Sequence, residues 1–435
     1  MENAGFIATI GCIAVIVLML MRVPIAICLA SVSLVGSAWL IGWEPALALL
    51  IDKPIRAVTN FEFSVIPMFI LMGTLVSVSG MSRELFRAAH AWLGHLPGGM
   101  AIATVMACGG FAAINGSSLA SAATMTQVAL PEMRRLGYNP GFASGVIAAG
   151  GTLGIMIPPS VMFILYAIIT ESDIAALFAA GILPGILAIT LYCITISIVY
   201  MMRPEWMPKT DKASRKERID SLKGIWAVFL LLFGVLAAIY GGLTTITEAA
   251  GFGVIGALLI GLVRGRLSWA QIVHALVDSL RTSASIFFIL IGAILFQSFL
   301  AYTQTPQAVS EFLTALPLPP MGIVLLIVLF YLIAGMFVDG LAVVLLTVPI
   351  FHAVIKTLGL SEIWFGVIVT TTVEVGLISP PIGMICFVMN KMVPDVGLGQ
   401  IFRGVTPFIL SDIVRLALLL AFPMIALYLP STMGH

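Results

Sequence analysis

The chain is divided into long windows that carry no charged side chain, and this pattern limits what it can fold into more than any other feature. Residues 3–21, 23–43, 63–82, 174–202, 224–247, 249–263 and 282–302 are each free of Asp, Glu, Lys and Arg. A membrane-crossing helix needs about 20 apolar residues, so each window has the length of one crossing, 249–263 being slightly short. Residues 404–430 are equally apolar but contain Asp412 and Arg415. Composition agrees: 60% of residues are hydrophobic and 9% charged, against about 25% charged in a soluble domain. Such a chain cannot cover its apolar side chains with its own polar surface, and lipid has to be the solvent. In lipid every backbone N–H and C=O must be bonded internally. The expected fold class is therefore an all-α polytopic membrane protein.

The formal net charge of +1 offers no electrostatic basis for nucleic-acid binding. Cys12, Cys28, Cys108, Cys193 and Cys386 each lie in an apolar stretch without CxxC spacing, which points to buried thiols rather than disulfides or a metal site. The first apolar window lacks a basic leader and a small-residue cleavage site, so it is expected to be a retained helix.

Four segments depart from the simple pattern. Residues 96–131 are uncharged over 36 positions, too long for one crossing, with the turn dipeptide Asn115-Gly116 near the centre. A helical hairpin that enters the membrane and returns is expected there. Residues 136–170 carry Pro158-Pro159 in GGTLGIMIPPS, which should break that helix at mid-depth. The hairpin pattern recurs at 320–357 around Asp339-Gly340, and the broken helix recurs at 361–390 around Pro380-Pro381 in VEVGLISPPIG. Leu136-Gly137 precedes the first proline pair by the same interval as Leu358-Gly359 precedes the second. Gly154 then aligns with Gly376 and Ile157 with Ser379, while Asn115-Gly116 aligns with Asp339-Gly340 only after a two-residue slip.

This is an internal repeat. The reading is a first repeat over 1–202, a cytoplasmic charged linker over 203–223 and a second repeat over 224–435. Amphipathic segments are expected at 81–95 and 267–281. An odd number of crossings in each half inverts the second half relative to the first. With the N-terminus outside, 17 of the 21 Lys and Arg residues fall on the inside, as the positive-inside rule requires. Both termini are then expected on the outer side of the membrane.

Unpaired backbone at mid-membrane is expensive. Paired discontinuous helices in inverted repeats offset that cost by lining a site for ions and substrate. The oxygen-rich turn Asn115-Gly116-Ser117-Ser118 facing Gly154–Pro159 is one candidate cation site. Asp339-Gly340 facing Gly376–Pro381 is its mate. Ser121 and Thr124 read as small packing residues. Glu374, two residues before Gly376, is a candidate proton acceptor, partner of broken backbone, or influence on the cation site. Glu248 reads as a first-turn carboxylate complementing its helix dipole, and Asp412 and Arg415 as a pair on one helical face. His90, His95, His274, His352 and His435 lack ligand spacing. No P-loop and no nucleophile constellation occurs, so the expected energy source is an ion gradient and the protein is not expected to be an enzyme.

At these residues the sequence resembles the large membrane subunit of tripartite ATP-independent periplasmic (TRAP) transporters over essentially its full length. The segments that carry the resemblance are FAAINGSSLASAAT, GGTLGIMIPPS, TEAA from Thr247, FVDGLAVVLLTVPI and EVGLISPPIGM. One departure is TITEA, where the family commonly has proline before the final Thr-Glu. The resemblance implies an elevator-type transporter that uses Na+ as its coupling ion, holds no cofactor and imports an organic acid. It implies a small four-helix membrane subunit and a periplasmic substrate-binding protein as partners, with membrane lipids around them. Carried over, one Na+ site involves Asn115, Ser117, Gly154, Ile157 and Pro159, and the other Asp339, Gly340, Gly376, Ser379 and Pro381. The substrate region takes in Gly116, Ser118, Ser160 and Glu374. Two other readings stay open: a stand-alone carboxylate carrier coupled to Na+, or to H+ through Glu374, and an ion channel.

Overall fold

The computed structural model describes residues 4–433, so His435 and the termini themselves lie outside the described residues. Among those residues there are helices and turns and no strands. The first half runs α1 (Ala4–Leu20), α2 (Ile25–Ile41), α3 (Trp43–Thr59), α4 (Val65–Val78), α5 (Met81–Leu93), α6 (Gly99–Asn115), α7 (Ser118–Arg135), α8 (Pro140–Met156), α9 (Val161–Thr170) and α10 (Ile174–Met202). The second half runs α11 (Arg215–Tyr240), α12 (Ile246–Val263), α13 (Trp269–Tyr302), α14 (Thr305–Thr314), α15 (Pro320–Phe337) and α16 (Gly340–Thr357). It ends with α17 (Glu362–Ile378), α18 (Met384–Met392), α19 (Leu398–Ala421) and α20 (Met424–Thr432). Nine of the described helices or helix pairs are long and apolar enough to cross a membrane.

Helix starts follow local chemistry. Ser214 with Glu217, Thr245 with Glu248 and Ser268 with Gln271 each form a reciprocal capping box at the head of α11, α12 and α13, satisfying N–H groups that no helix can bond for itself. Glu248 is thus a cap as well as a dipole partner, and its Thr245 supplies the helix start in TITEA without a proline.

The structure revises four boundaries. Residues 43–59, between the second and third uncharged windows, form the amphipathic helix α3. The segment 267–281 is not a separate arm: it is continuous with the following span in α13, which is 34 residues long, because nothing between Trp269 and Tyr302 breaks a helix. The counterpart of α5, by position before the second hairpin, is the short α14. The charged segment 203–223 is only partly linker, since the cap at Ser214 starts α11 at Arg215. The C-terminal apolar stretch also divides, at Phe422-Pro423, into α19 and α20.

The two broken helices are the centre of the molecule. Every residue of α17 from Trp364 to Ile378 is buried, and so is nearly all of α8 and α9. They pack on each other and are wrapped by α6, α7, α10, α15, α16 and α19. Small residues permit this where α8 crosses α19: a Cβ at Gly145 would run into the backbone of Gly404, and one at Gly404 into the backbone of Gly141. A second group, α2, α3, α4, α12 and α13, packs among itself and meets the first group chiefly through α4 on α6 and α13 on α16.

Candidate functional site

The tip of the first hairpin follows from three residues. Gly116 turns the chain at φ 63°, a left-handed value that a residue with a Cβ resists. Ser117 is extended and caps α7 by accepting from the Ala120 amide. The Asn115 amide nitrogen donates to the Ser117 carbonyl at 3.4 Å and to Ser121 Oγ at 3.3 Å. Ser121 therefore takes part in the tip rather than serving packing alone.

The first break has a covalent cause. Prolines 158 and 159 carry no N–H, so the carbonyls of Gly154 and Ile155 have no helical donor four residues on. Ser160 Oγ donates to Ile155 O at 2.5 Å and caps α9 through the Phe163 amide. The Gly154 carbonyl is left without that substitute. The tip sits directly on this break: a Cβ at Gly154 would meet the Ser117 carbonyl oxygen at 2.6 Å, and one at Gly116 would meet Pro159 O at 2.7 Å. Pro158, Pro159 and Ser160 are buried beneath it.

The second half repeats the elements with different seating. Asp339 caps α16, accepting from the Leu341 amide at 3.1 Å. It therefore occupies the place that Ser117 holds at the head of α7, so the two-residue slip disappears and Asn115 has no polar counterpart. The slip arose from matching the two glycines, which stand at different points of their turns. In this break Ser379 Oγ donates to Val375 O at 2.6 Å and its amide to Gly376 O at 3.2 Å. A Cβ at Gly376 would meet the backbone of Gly335 in α15 at 2.6–2.8 Å. The limb of the hairpin, not its tip, thus lies on Gly376, and Pro380 and Pro381 are exposed.

Both tips open into one cavity of about 530 Å3. It is lined by Asn115, Gly116, Ser117 and Ser118 from the first tip and by Asp339 and Gly340 from the second. The N-termini of α7, α9 and α16 all face it, through Ser118, Val161 and Gly340. Its opposite wall is Ile70 and Thr74 of α4 with Arg281, Thr282 and Ser285 of α13. Three helix N-termini and one guanidinium around a cavity make a setting for an anion. The carboxyl-terminal ends of α6 and α8, with their free carbonyls, stand behind the first tip and suit a hard cation.

Other site candidates fall elsewhere. Gly154, Ile157, Pro159 and Ser160 lie behind the first tip, and Gly376, Ser379 and Pro381 behind the second hairpin; none of them lines the cavity. Glu374 does not line it either. It is fully buried and bonded to Arg415, with Arg415 Nη2 at 2.6 Å from its Oε2. The same nitrogen lies 3.1 Å from Asp412 Oδ1. Tyr192 of α10 donates to Asp412 at 2.8–2.9 Å. The expected Asp412–Arg415 pair is present, and Glu374 completes it across α17 and α19.

Arg281 is the residue that sequence reasoning missed. It stands just outside the uncharged window, which begins at Thr282. The available signal was helical: positions 281, 282, 285, 286 and 289 form one face of α13 on the cavity.

Comparison with known proteins decides the family. Residues 12–425 match the family model described as the tripartite ATP-independent periplasmic transporter, DctM component. The chain belongs to that family. This DctM-family chain is 34% identical over 406 residues to the C4-dicarboxylate TRAP transporter large permease protein of Pseudomonas aeruginosa, covering 91% of this chain and 94% of the relative. It is 30% identical to the sialic acid TRAP transporter large permease protein of Vibrio cholerae, covering 87% and 88%. The crystal structure of the Alcanivorax borkumensis YdaH transporter shares the fold at a TM-score of 0.64 and 16% identity, over 87% of this chain and 89% of that one. The DctM-family chain is thus a multi-pass transporter permease and not an enzyme.

Proposed function

We propose that this large permease uses a Na+ gradient to import a small organic acid across the bacterial inner membrane. Its periplasmic binding protein delivers the acid, and a small four-helix membrane subunit completes the complex. The observation that carries this reading is the shared cavity. Three helix N-termini and Arg281 offer positive charge to a carboxylate there, while the carbonyl ends of α6 and α8 stand behind the first tip for a cation. Dicarboxylate and sialate transport by the two relatives fits a carboxylate cargo. Glu374 is held by Arg415 away from the cavity, which favours Na+ over a proton taken up at that carboxylate.

The helix groups also suit an elevator. The cavity lies between the wrapped core, α6–α10 with α15–α19, and a frame built on α2, α4, α12 and α13. One break is buried beneath its tip and the other exposed, the asymmetry expected of a site closed toward one side. In this reading the two repeats have opposite orientations, both termini are periplasmic, and the exposed apolar faces of α1–α3 meet lipid or the small subunit.

The deciding experiment is uptake of organic acids into proteoliposomes containing the permease, its small subunit and the binding protein, with and without an inward Na+ gradient. Uptake that needs the gradient is expected. Uptake of equal rate without Na+ would rule out this coupling.

A further inference from the structure

A second cavity, of about 370 Å3, lies between α5 and α7. Arg83, Arg87 and His90 face it from α5, spaced to share one side of that helix. Gln127, Pro131 and Glu132 face it from α7. The side chains of Arg83 and Arg87 are exposed and, among the described residues, make no ion pair or hydrogen bond. Their neighbours are engaged. Glu132 is bound by Arg135, and Glu84 by Arg264 at 2.8 Å and Arg266 at 3.3 Å. Arg87 also lines an adjoining recess with Lys223, Arg264 and Arg266, where Asp220 is already paired with Lys223 at 2.7 Å. Two guanidinium groups are therefore left over at the mouth of a polar cavity. His90 adds no charge at neutral pH: burial pushes its imidazole below the ordinary value, Glu132 opposing and Arg135 reinforcing the shift.

We propose that this cavity binds the phosphate of an anionic membrane phospholipid, held between Arg83 and Arg87 on one side and α7 on the other. A phosphodiester spreads one negative charge over two free oxygens, which the planar fork of a guanidinium can bond in parallel. The surroundings point to a lipid rather than a free anion. The α5 helix is amphipathic and buries Met81, Leu85, Phe86 and Ala88 against the protein, chiefly α6 and α11. The chain at its end exposes Trp92 and Leu96, as a helix lying along a membrane surface does. Basic residues at that level attract acidic headgroups. The lipid would sit on the seam between α5 and the second limb of the first hairpin, so membrane composition would influence movement of that hairpin. That consequence, unlike the binding itself, rests on the elevator reading above.

The test uses the full-length permease as purified, with native mass spectrometry in mixed phosphatidylglycerol and phosphatidylcholine micelles. The wild type is expected to retain phosphatidylglycerol selectively. R83Q and R87Q should each weaken retention about fivefold, the factor for one basic side chain near a charged surface. The R83K/R87K double variant should keep part of it, and all should melt as the wild type does. Equal retention by R83Q/R87Q overturns the proposal. So does displacement of the lipid by millimolar inorganic phosphate, which would mark a soluble-anion site. Loss of Na+-driven uptake with lipid retention intact would instead count against the transport reading alone.

Discussion

Gly154 and Gly376 are the residues whose size the site depends on most. Each faces backbone rather than a flexible side chain, at 2.6–2.9 Å from where a Cβ would stand, so neither neighbour can step aside cheaply. Gly154→Ala should push the first tip off its break. Uptake should fall by about tenfold or more, equivalent to ~1.4 kcal/mol, and the Na+ concentration for half-maximal rate should rise. Proteoliposome uptake at varied Na+ checks it. Arg281→Gln should spare Na+ dependence and weaken the acid, since a charge-assisted hydrogen bond contributes about 1.5–3 kcal/mol. The expected change is a rise in half-saturating substrate with little change in protein level. Arg415→Met leaves Glu374 and Asp412 buried without their cation. Breaking such a cluster costs about 3–5 kcal/mol, so a marked fall in the melting temperature of the purified chain is expected. Glu374 had no legible partner in the sequence, because its guanidinium lies 41 positions away and only helix packing brings the two together.

At the scale of elements, the clearest lesson comes from α13. A charge at Arg281 ended the uncharged window, and hydropathy alone divided the helix there. The backbone has no reason to stop, and a helix that runs from surface to interior carries Arg281 into the cavity wall. The arm α5 was legible from its amphipathic pattern, but its anchorage was not. Glu84 joins it to Arg264 at the end of α12, with both side chains less than 20% exposed. Glu84→Gln should lower stability by about 1–2 kcal/mol, between the surface and buried cases. Denaturation monitored by tryptophan fluorescence is a suitable measurement, with Arg264→Gln expected to give a similar value and the double variant little more.

For the whole molecule, the central question is whether the core moves against the frame. Ser285 on α13 and Leu341 at the second tip line the same cavity from opposite groups of helices. A Ser285→Cys/Leu341→Cys pair, bridged by a short thiol cross-linker, should stop uptake, and reduction of a cleavable linker should restore it. The five native cysteines stay outside the cavity lining, so single-cysteine controls should keep transporting under the same treatment. Unimpaired uptake by the cross-linked pair would mean that core and frame need not separate.

The sequence by itself determined the membrane class, the two hairpins, the two breaks and the family, because these rest on local causes: uncharged length, missing proline N–H groups and turn residues. Turn chemistry singled out Asn115, Ser117 and Asp339, and these line one cavity with Gly116, Ser118 and Gly340. Only the tertiary structure decided that Asp339 is the counterpart of Ser117, that Glu374 belongs to a buried ion cluster, and that Arg281 faces the tips. Each of these depends on which helix faces lie together, and in a chain apolar on nearly every face, periodicity does not say which side meets lipid and which meets protein.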